Sequence, residues 1–290
     1  MTNCVVTGIH IYPVKSCKGI SVDGATISRT GLLHDRFWMI IDEKDKFVTI
    51  REQPKLALVN VEIVLNSETS EKDHLKLSAP GMEHTVELPL QPEPEVYATP
   101  EIKTAVFKDT VFVHVASKEA SQWVSDYLGV PVRVVVKSRV VRAVTEFMPP
   151  KEEFEYEPET AFADEYPINM VSEESLEDLN TRLEVPVQIR NFRPNIVIRG
   201  CASYEEDSWK RITIGEKEFF VVCPVARCQM PNTDFDKGER TSLQPLKTLM
   251  KYRRVFEKKP YHACFSVSLA PVKLGGEIRV GDVVKVLETK

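Results

Sequence analysis

This chain of 290 residues has no long apolar run, no excess of basic charge and no closely paired cysteines. No window approaches the ~18 uninterrupted apolar residues of a transmembrane helix. The start, MTNCVVTGIHIYPVKSC, has no basic stretch leading into a long apolar one, so no secretory signal is expected. Lys and Arg number 38 against 43 Asp and Glu, a formal net charge of −5. That excludes a global basic field for nucleic acid, and an anionic ligand needs a local cluster of Arg and Lys. The six cysteines (Cys4, Cys17, Cys201, Cys223, Cys228 and Cys264) are scattered rather than arrayed as a disulfide framework, which suits a reducing compartment. Four residues separate Cys223 from Cys228, and no second Cys or His pair completes a zinc site. Iron–sulfur spacing and the G-x-G-x-x-G fingerprint of nicotinamide and flavin folds are absent too.

What is present is globular in composition. Hydrophobic residues at 42% and charged residues at 28% allow one large domain or two ordinary ones with a substantial core. The first hundred residues read as short β-rich runs: VVTGIHIYPV, RFWMIID, KFVTI, LALVNVEIVL, HLKLSA and HTVELPL. Asp42–Lys46 is expected as a hairpin turn, Ser67–Asp73 as a solvated loop and Gln91–Glu95 as an extended one. The first helix is expected in SKEASQWVSDYLG, with Ser117 as N-cap, Gly129 as stop, and Ala120, Trp123, Val124, Tyr127 and Leu128 at helical spacing. A second starts at Ser172 and carries Leu176, Leu179 and Leu183 on one face; a third lies in SLQPLKTLMKYRR. The acidic, proline-rich MPPKEEFEYEPETAFADEYP is expected as a long functional or mobile loop. NIVIRG, RITIG, KEFFVVC, CFSVSLAPV, EIRV and DVVKVLE add strands, giving an α+β protein built on β-barrel-like sheets.

Candidate chemistry gathers in four places. Cys223 ends the apolar run FFVVC and reads as a buried structural thiol. Cys228 lies beyond a proline and beside Arg227; a neighbouring cation favours thiolate, which is both nucleophile and soft metal ligand. In YPVKSCKG, Lys15, Ser16 and nearby backbone N–H groups could hold a phosphate, or form an ordinary solvated turn. Arg36, in HDRFW, is an anion ligand or a surface charge. In IRNFRPNIVI, Arg190, Asn191, Arg193 and Asn195 crowd the entry to a strand as a donor array suited to a polyanion.

Taken in order, IYPVKSCKGI, DRFW, LNTRL with NFRPNIVI, EDSW, ARCQMPNTDFDKG and IRVGDVV resemble the MOSC-domain proteins over nearly the whole chain, and among them the amidoxime-reducing components. The resemblance implies a β-barrel-rich MOSC fold, with an N-terminal β-rich module at 1–130 and a MOSC domain at 131–290. It implies a molybdenum cofactor (Mo-molybdopterin), a phosphate-bearing pyranopterin dithiolene whose metal takes one protein cysteine. By motif position Cys228 matches that ligand and Arg227 the arginine before it. Lys15, Ser16 and Arg36 match the phosphate-side contacts. Asn191, Arg193 and Asn195 match the pterin-binding segment, with Ser172 expected nearby.

The implied activity is reduction of N-hydroxylated substrates, amidoximes and hydroxylamines, with nitrite as a further candidate. The implied electron source is a cytochrome b5-type donor with its NADH-dependent reductase. The basic run KYRRVFEKK (Lys251–Lys259) is its candidate docking patch, against the plainer reading of a solvated helix end. No nucleic acid is expected as a partner. The implied setting is cytoplasmic or mitochondrial-associated, and the membrane anchor of the animal members is not expected here. Around the cysteine the chain departs from the group: Ala226 stands where a serine is expected, and Gln229, Met230 and Pro231 follow where threonines are expected. That bears on substrate range. One alternative is a cofactor carrier or sulfur-transfer MOSC module, whose pyridoxal-phosphate-dependent partner domain is not read in this chain. A non-catalytic scaffold is another, and the joint presence of Cys228, Lys15, Arg36 and Arg193 counts against it.

Overall fold

The computed structural model describes residues 4–65, 73–91, 94–240 and 242–290, without the side chains of 94 and 95. The loop expected at Ser67–Asp73 falls almost wholly outside the described residues. Pro94–Ala98 forms a short helix, α1, overlapping the stretch expected to run extended.

Seven strands close a barrel. Cys4–Ile11 pairs with Ile196–Arg199, which runs parallel to Ile168–Ser172. Cys264–Pro271, Lys217–Ala226, Trp209–Ile214 and Val283–Thr289 follow in antiparallel order, and the last returns to Cys4–Ile11. Alternation sets the inner face: Ile212 and Ile214 are buried while Arg211 and Thr213 between and before them are not. Cys264–Pro271 is buried along its whole length. Its outer face lies in a second apolar cluster with Val171, Leu179, Phe192, Val197 and Leu249. Two helices contribute to that cluster, α3 (Glu173–Asn180) and α4 (Leu246–Tyr252).

The second body is a four-stranded antiparallel sheet, in the order Trp38–Asp42, Val132–Lys137, Asp109–Ser117 and Ile102–Val106. A three-stranded sheet (Asn60–Val64, His74–Ser78, Val86–Pro89) and α2 (Lys118–Leu128) share its core. Helix α2 has the expected signals: Ser117 Oγ accepts from Ala120 N, and Gly129 takes a left-handed stop at φ 71°. Hydrogen-bonded pairing crosses the 130/131 division in both directions. Val132–Lys137 belongs to the module's sheet, and Cys4–Ile11 is a stave of the barrel.

Residues 138–167 hold little regular structure, yet Phe154, Ala161, Phe162, Ala163 and Tyr166 are buried, so this long loop is packed between the two bodies. Among the described residues no helix is long and apolar enough to cross a membrane.

Candidate active site

Three segments are stitched together where the first stave leaves the barrel. Arg36 N donates to Tyr12 O and Lys15 N to Trp38 O, both at 2.8 Å. Phe162 N donates to Arg36 O at 2.9 Å, which draws in the long loop. Ser16 (φ 75°), Arg36 (φ 50°) and Arg193 (φ 49°) all hold left-handed backbone. Non-glycine residues adopt it at a cost and cluster at functional sites when they do. Gly19 is needed for another reason: a Cβ there would stand 2.4 Å from the Tyr12 ring.

That ring is the floor of a cation cluster. The guanidinium of Arg193 lies 4.2 Å from its centroid and that of Arg36 4.6 Å. Burial pushes the Tyr12 hydroxyl up to about 12. Arg36 Nη1 donates to Asp35 Oδ2 at 2.5 Å and to Asn195 Oδ1 at 3.2 Å, and Nη2 to Arg193 O at 3.1 Å. Arg193 Nη1 donates to Cys17 O at 2.6 Å. Burial lowers Arg193 to about 10, and its Nη2 is buried without a protein partner. Lys15 Nζ donates to Phe162 O at 2.8 Å and to the Asp164 carboxylate. Burial pulls Lys15 below the usual lysine range, and Asp164 opposes that pull.

Cys228 follows the end of strand Lys217–Ala226. Arg227 pins the chain just before it: Nε donates to Phe265 O at 2.8 Å, Nη1 to Phe192 O at 3.0 Å, and Nη2 to Ser266 Oγ. Asn191 pins the chain just after it, through Nδ2 to Pro231 O at 3.0 Å and Thr233 O at 3.2 Å. Between these two ties the Cys228 thiol stays part-exposed, accepting from Met230 N at 3.4 Å. Cys223, which unlike Cys228 lies within strand Lys217–Ala226, is 2% exposed, as a structural thiol should be.

The structure therefore brings Lys15, Ser16, Arg36, Arg193 and Asn195 together and sets Asn191 and Arg227 as struts on either side of Cys228. It does not bring Ser172. Ser172 caps α3, is fully buried, and bonds Ser175 Oγ at 2.6 Å and the Glu206 carboxylate at 3.2 Å. Asn169, three residues earlier on that strand, reaches the site instead. Its N donates to Asn195 Oδ1 at 3.1 Å, its Nδ2 to Phe192 O at 3.2 Å, and its Oδ1 accepts from Ser266 Oγ at 2.5 Å.

Sequence reasoning also missed Tyr12 and Asp35, which stand inside or beside two of the singled-out motifs, and Asp164, which has no local signal. The basic run Lys251–Lys259 is less open than expected. Arg253 is buried, donating to Asp207 Oδ2 at 2.6 Å and Cys264 O at 3.2 Å, and Lys259 pairs with Glu165. Lys251, Arg254 and Lys258 remain exposed.

A part-exposed soft thiol, a set of buried cations and an unpaired buried guanidinium donor suit an anionic, phosphate-bearing group with a thiophilic metal.

The chain matches the family descriptions "MOSC N-terminal beta barrel domain" over residues 3–131 and "MOSC domain" over residues 157–285. It is 37% identical to "Mitochondrial amidoxime reducing component 2" of Bos taurus, covering 96% of this chain and 82% of that protein. Against "Mitochondrial amidoxime-reducing component 1" of Mus musculus the identity is 36%, with 97% and 82% covered. Against the Homo sapiens component 1 it is 34%, with the same coverage.

Proposed function

The chain belongs to the MOSC-domain family and, within it, to the amidoxime-reducing components, and we propose from this that it reduces N-hydroxylated compounds at a molybdenum cofactor ligated by Cys228. The observation that carries the reading is the Cys228 thiol itself, part-exposed and tied down on both sides, with buried Arg227 at its back and the cation cluster of Lys15, Arg36 and Arg193 assembled from distant segments. Cys228 supplies the soft thiolate. Lys15, Ser16 and Arg36 hold the phosphate end, and Arg193 and Asn195 the pterin. Arg227 and Asn191 position the ligand loop. When bound, the cofactor supplies two-electron redox chemistry at the metal, which no side chain of the site can perform.

The overall reaction takes an amidoxime, two electrons and two protons to an amidine and water. The electrons come from outside the chain, by a cytochrome b5-type protein and its NADH-dependent reductase. The setting that goes with this reading is mitochondrial or cytoplasmic. Small N-hydroxylated molecules are the substrates.

The test is metal analysis and reconstitution. Chain made in a host with molybdenum-cofactor synthesis should carry about one Mo per protein. It should reduce a simple aromatic amidoxime only when NADH, reductase and cytochrome are all present. Full molybdenum with no reduction would favour the carrier alternative, and turnover with NADH alone would refute the external donor.

A further inference from the structure

The cation set holds two carboxylates of opposite character. Asp35 is sealed in, its side chain 1% exposed, accepting from Tyr12 N at 2.8 Å as well as from Arg36. Asp164 is 53% exposed, yet its carboxylate bonds the ammonium of Lys15, whose own side chain is 7% exposed. Phe162 O also holds the Lys15 Nζ, at 2.8 Å, and this second tie keeps the ammonium inside the site. The backbone around Asp164 cannot move freely either. Buried Arg142 grips it, with Nη1 to Ala161 O at 3.0 Å and Ala163 O at 2.6 Å, and Nη2 to Asp164 O at 3.0 Å. What is left free is the Asp164 side chain itself, which can swing outward by a change of rotamer.

Other cations act on the same carboxylate. Arg36 and Arg51 lie within electrostatic reach of it, and so does Arg227. A carboxylate at the meeting point of several positive groups sits where an added anion would be most stabilised.

We propose that Asp164 is a placeholder anion: it fills the seat at Lys15 when no phosphate is bound and swings to solvent when a phosphate monoester enters. The proposal rests on the reading above, in which this cation set receives the phosphate of the cofactor. The physical need is plain. A buried ammonium with no anionic partner is costly, and the loop that carries Asp164 would lose one of its ties. The consequence is competition. Asp164 weakens capture of every anion at this seat, and a phosphate dianion, with more charge and more acceptor oxygens than a carboxylate, displaces it best. The seat thereby prefers phosphate monoesters over carboxylates.

The test uses the full chain from a host that makes no molybdopterin, titrated calorimetrically with inorganic phosphate at neutral pH. Asp164→Asn should bind phosphate at least ~10-fold more tightly than the unsubstituted chain, the equivalent of one charge-assisted hydrogen bond. Lys15→Gln should remove binding in either background. Asp164→Ser serves as a second variant with the same expectation should the amide disturb folding, and circular dichroism checks each form. Equal or weaker binding after loss of the carboxylate overturns the placeholder. So does binding that survives Lys15→Gln, or the absence of measurable binding in every form. Phosphate capture is read without molybdenum or turnover. A failed placeholder therefore leaves the reductase reading intact, and a chain that takes up no molybdenum defeats that reading whatever phosphate does.

Discussion

Cys223 and Cys228 are five positions apart, and the fold treats them as different chemical species. Cys223 lies within a barrel strand, 2% exposed, and burial pushes its thiol up to about 11. It is a small apolar filler that resists ionisation. Cys228 lies just past the strand's end, where the ladder stops and the chain can turn its side chain toward solvent. Between the two stands Arg227, whose guanidinium is spent on Phe265 O, Phe192 O and Ser266 Oγ. The arginine beside the cysteine is therefore first a strut. Its charge comes with it, and burial leaves that charge easier to remove than usual, at about 10, with Cys228 opposing the shift. The lesson is that the end of a strand, rather than the residue type, separates a sealed structural thiol from one open to solvent.

Substituting the two sulfurs one at a time tests this difference most directly. Cys228→Ser should cut amidoxime reduction by more than the roughly 100-fold that loss of a merely supporting partner brings. Its melting curve should stay that of the parent. Cys223→Ala should keep molybdenum and turnover while losing some stability to the cavity it opens. Equal loss of activity in two well-folded proteins would erase the distinction.

Next in size is the difference between a spent and an unspent arginine. Arg193→Ala should lower cofactor affinity roughly 10- to 100-fold through lost charge-assisted bonds, with the rate per bound molybdenum largely kept. Metal content read against activity decides it. Arg227→Ala should show itself as instability instead, about 1–3 kcal/mol for a buried carbonyl left without its donor, measured by urea denaturation.

A smaller effect separates the thiols by pH. The ordinary value for Cys223 is 9 and the folded one about 11. Below pH 9 folded and unfolded forms both keep the proton, and the contribution is fully present. Between pH 9 and 11 only the unfolded chain gives the proton up, so stability falls as pH rises, by about 2–3 kcal/mol at most. Cys223→Ala should flatten that part of the alkaline decline in urea midpoints. The slope that Cys17 and Tyr12 impose, both pushed up to about 12 by burial, stays in place.

The smallest expected change concerns donor docking. Reversing the charge of Arg254 and Lys258 together should weaken cytochrome-dependent turnover a few-fold at low salt and less at high salt. Arg253→Ala should destabilise the fold instead, because that guanidinium is buried against Asp207 and Cys264 O. Unchanged cytochrome dependence in the double reversal would remove this patch from consideration.

Local signals carried a good part of the fold. The cap at Ser117, the stop at Gly129 and the start of α3 at Ser172 are short-range hydrogen-bond chemistry, visible in a few neighbouring residues. Ser172, which the resemblance rather than any local signal places near the cofactor, is taken up as a cap bonded to Ser175 and Glu206. Motif order picked out Lys15, Arg36, Arg193 and Cys228. It could not show that Arg193 reaches Cys17 O, or that Lys15 is held by Asp164, because those contacts join residues more than a hundred positions apart. Nor could it show that two guanidinium groups share the Tyr12 ring. A polar residue in an acidic loop, such as Asp164, carries no periodicity that marks it, and only closure of the tertiary structure gives it a role.

The first barrel stave, Cys4–Ile11, bears on how the chain is made. Its edges pair with Ile196–Arg199 and Val283–Thr289, both synthesised long after it, and among the described residues its one early partner strand is the three-residue Ile20–Val22, which covers part of one edge. The strands of the module's two sheets, by contrast, pair with one another within residues 38–137 among the described residues, apart from the bridge of Trp38 to Val14, so their ladders can form while the barrel is still missing staves. An apolar strand with bare edges therefore waits through most of translation. Loop closure across nearly the whole chain must then be met before its hydrogen bonds form. Until then those eight residues present open edges to mispairing, at a stage when the cofactor has nowhere yet to bind.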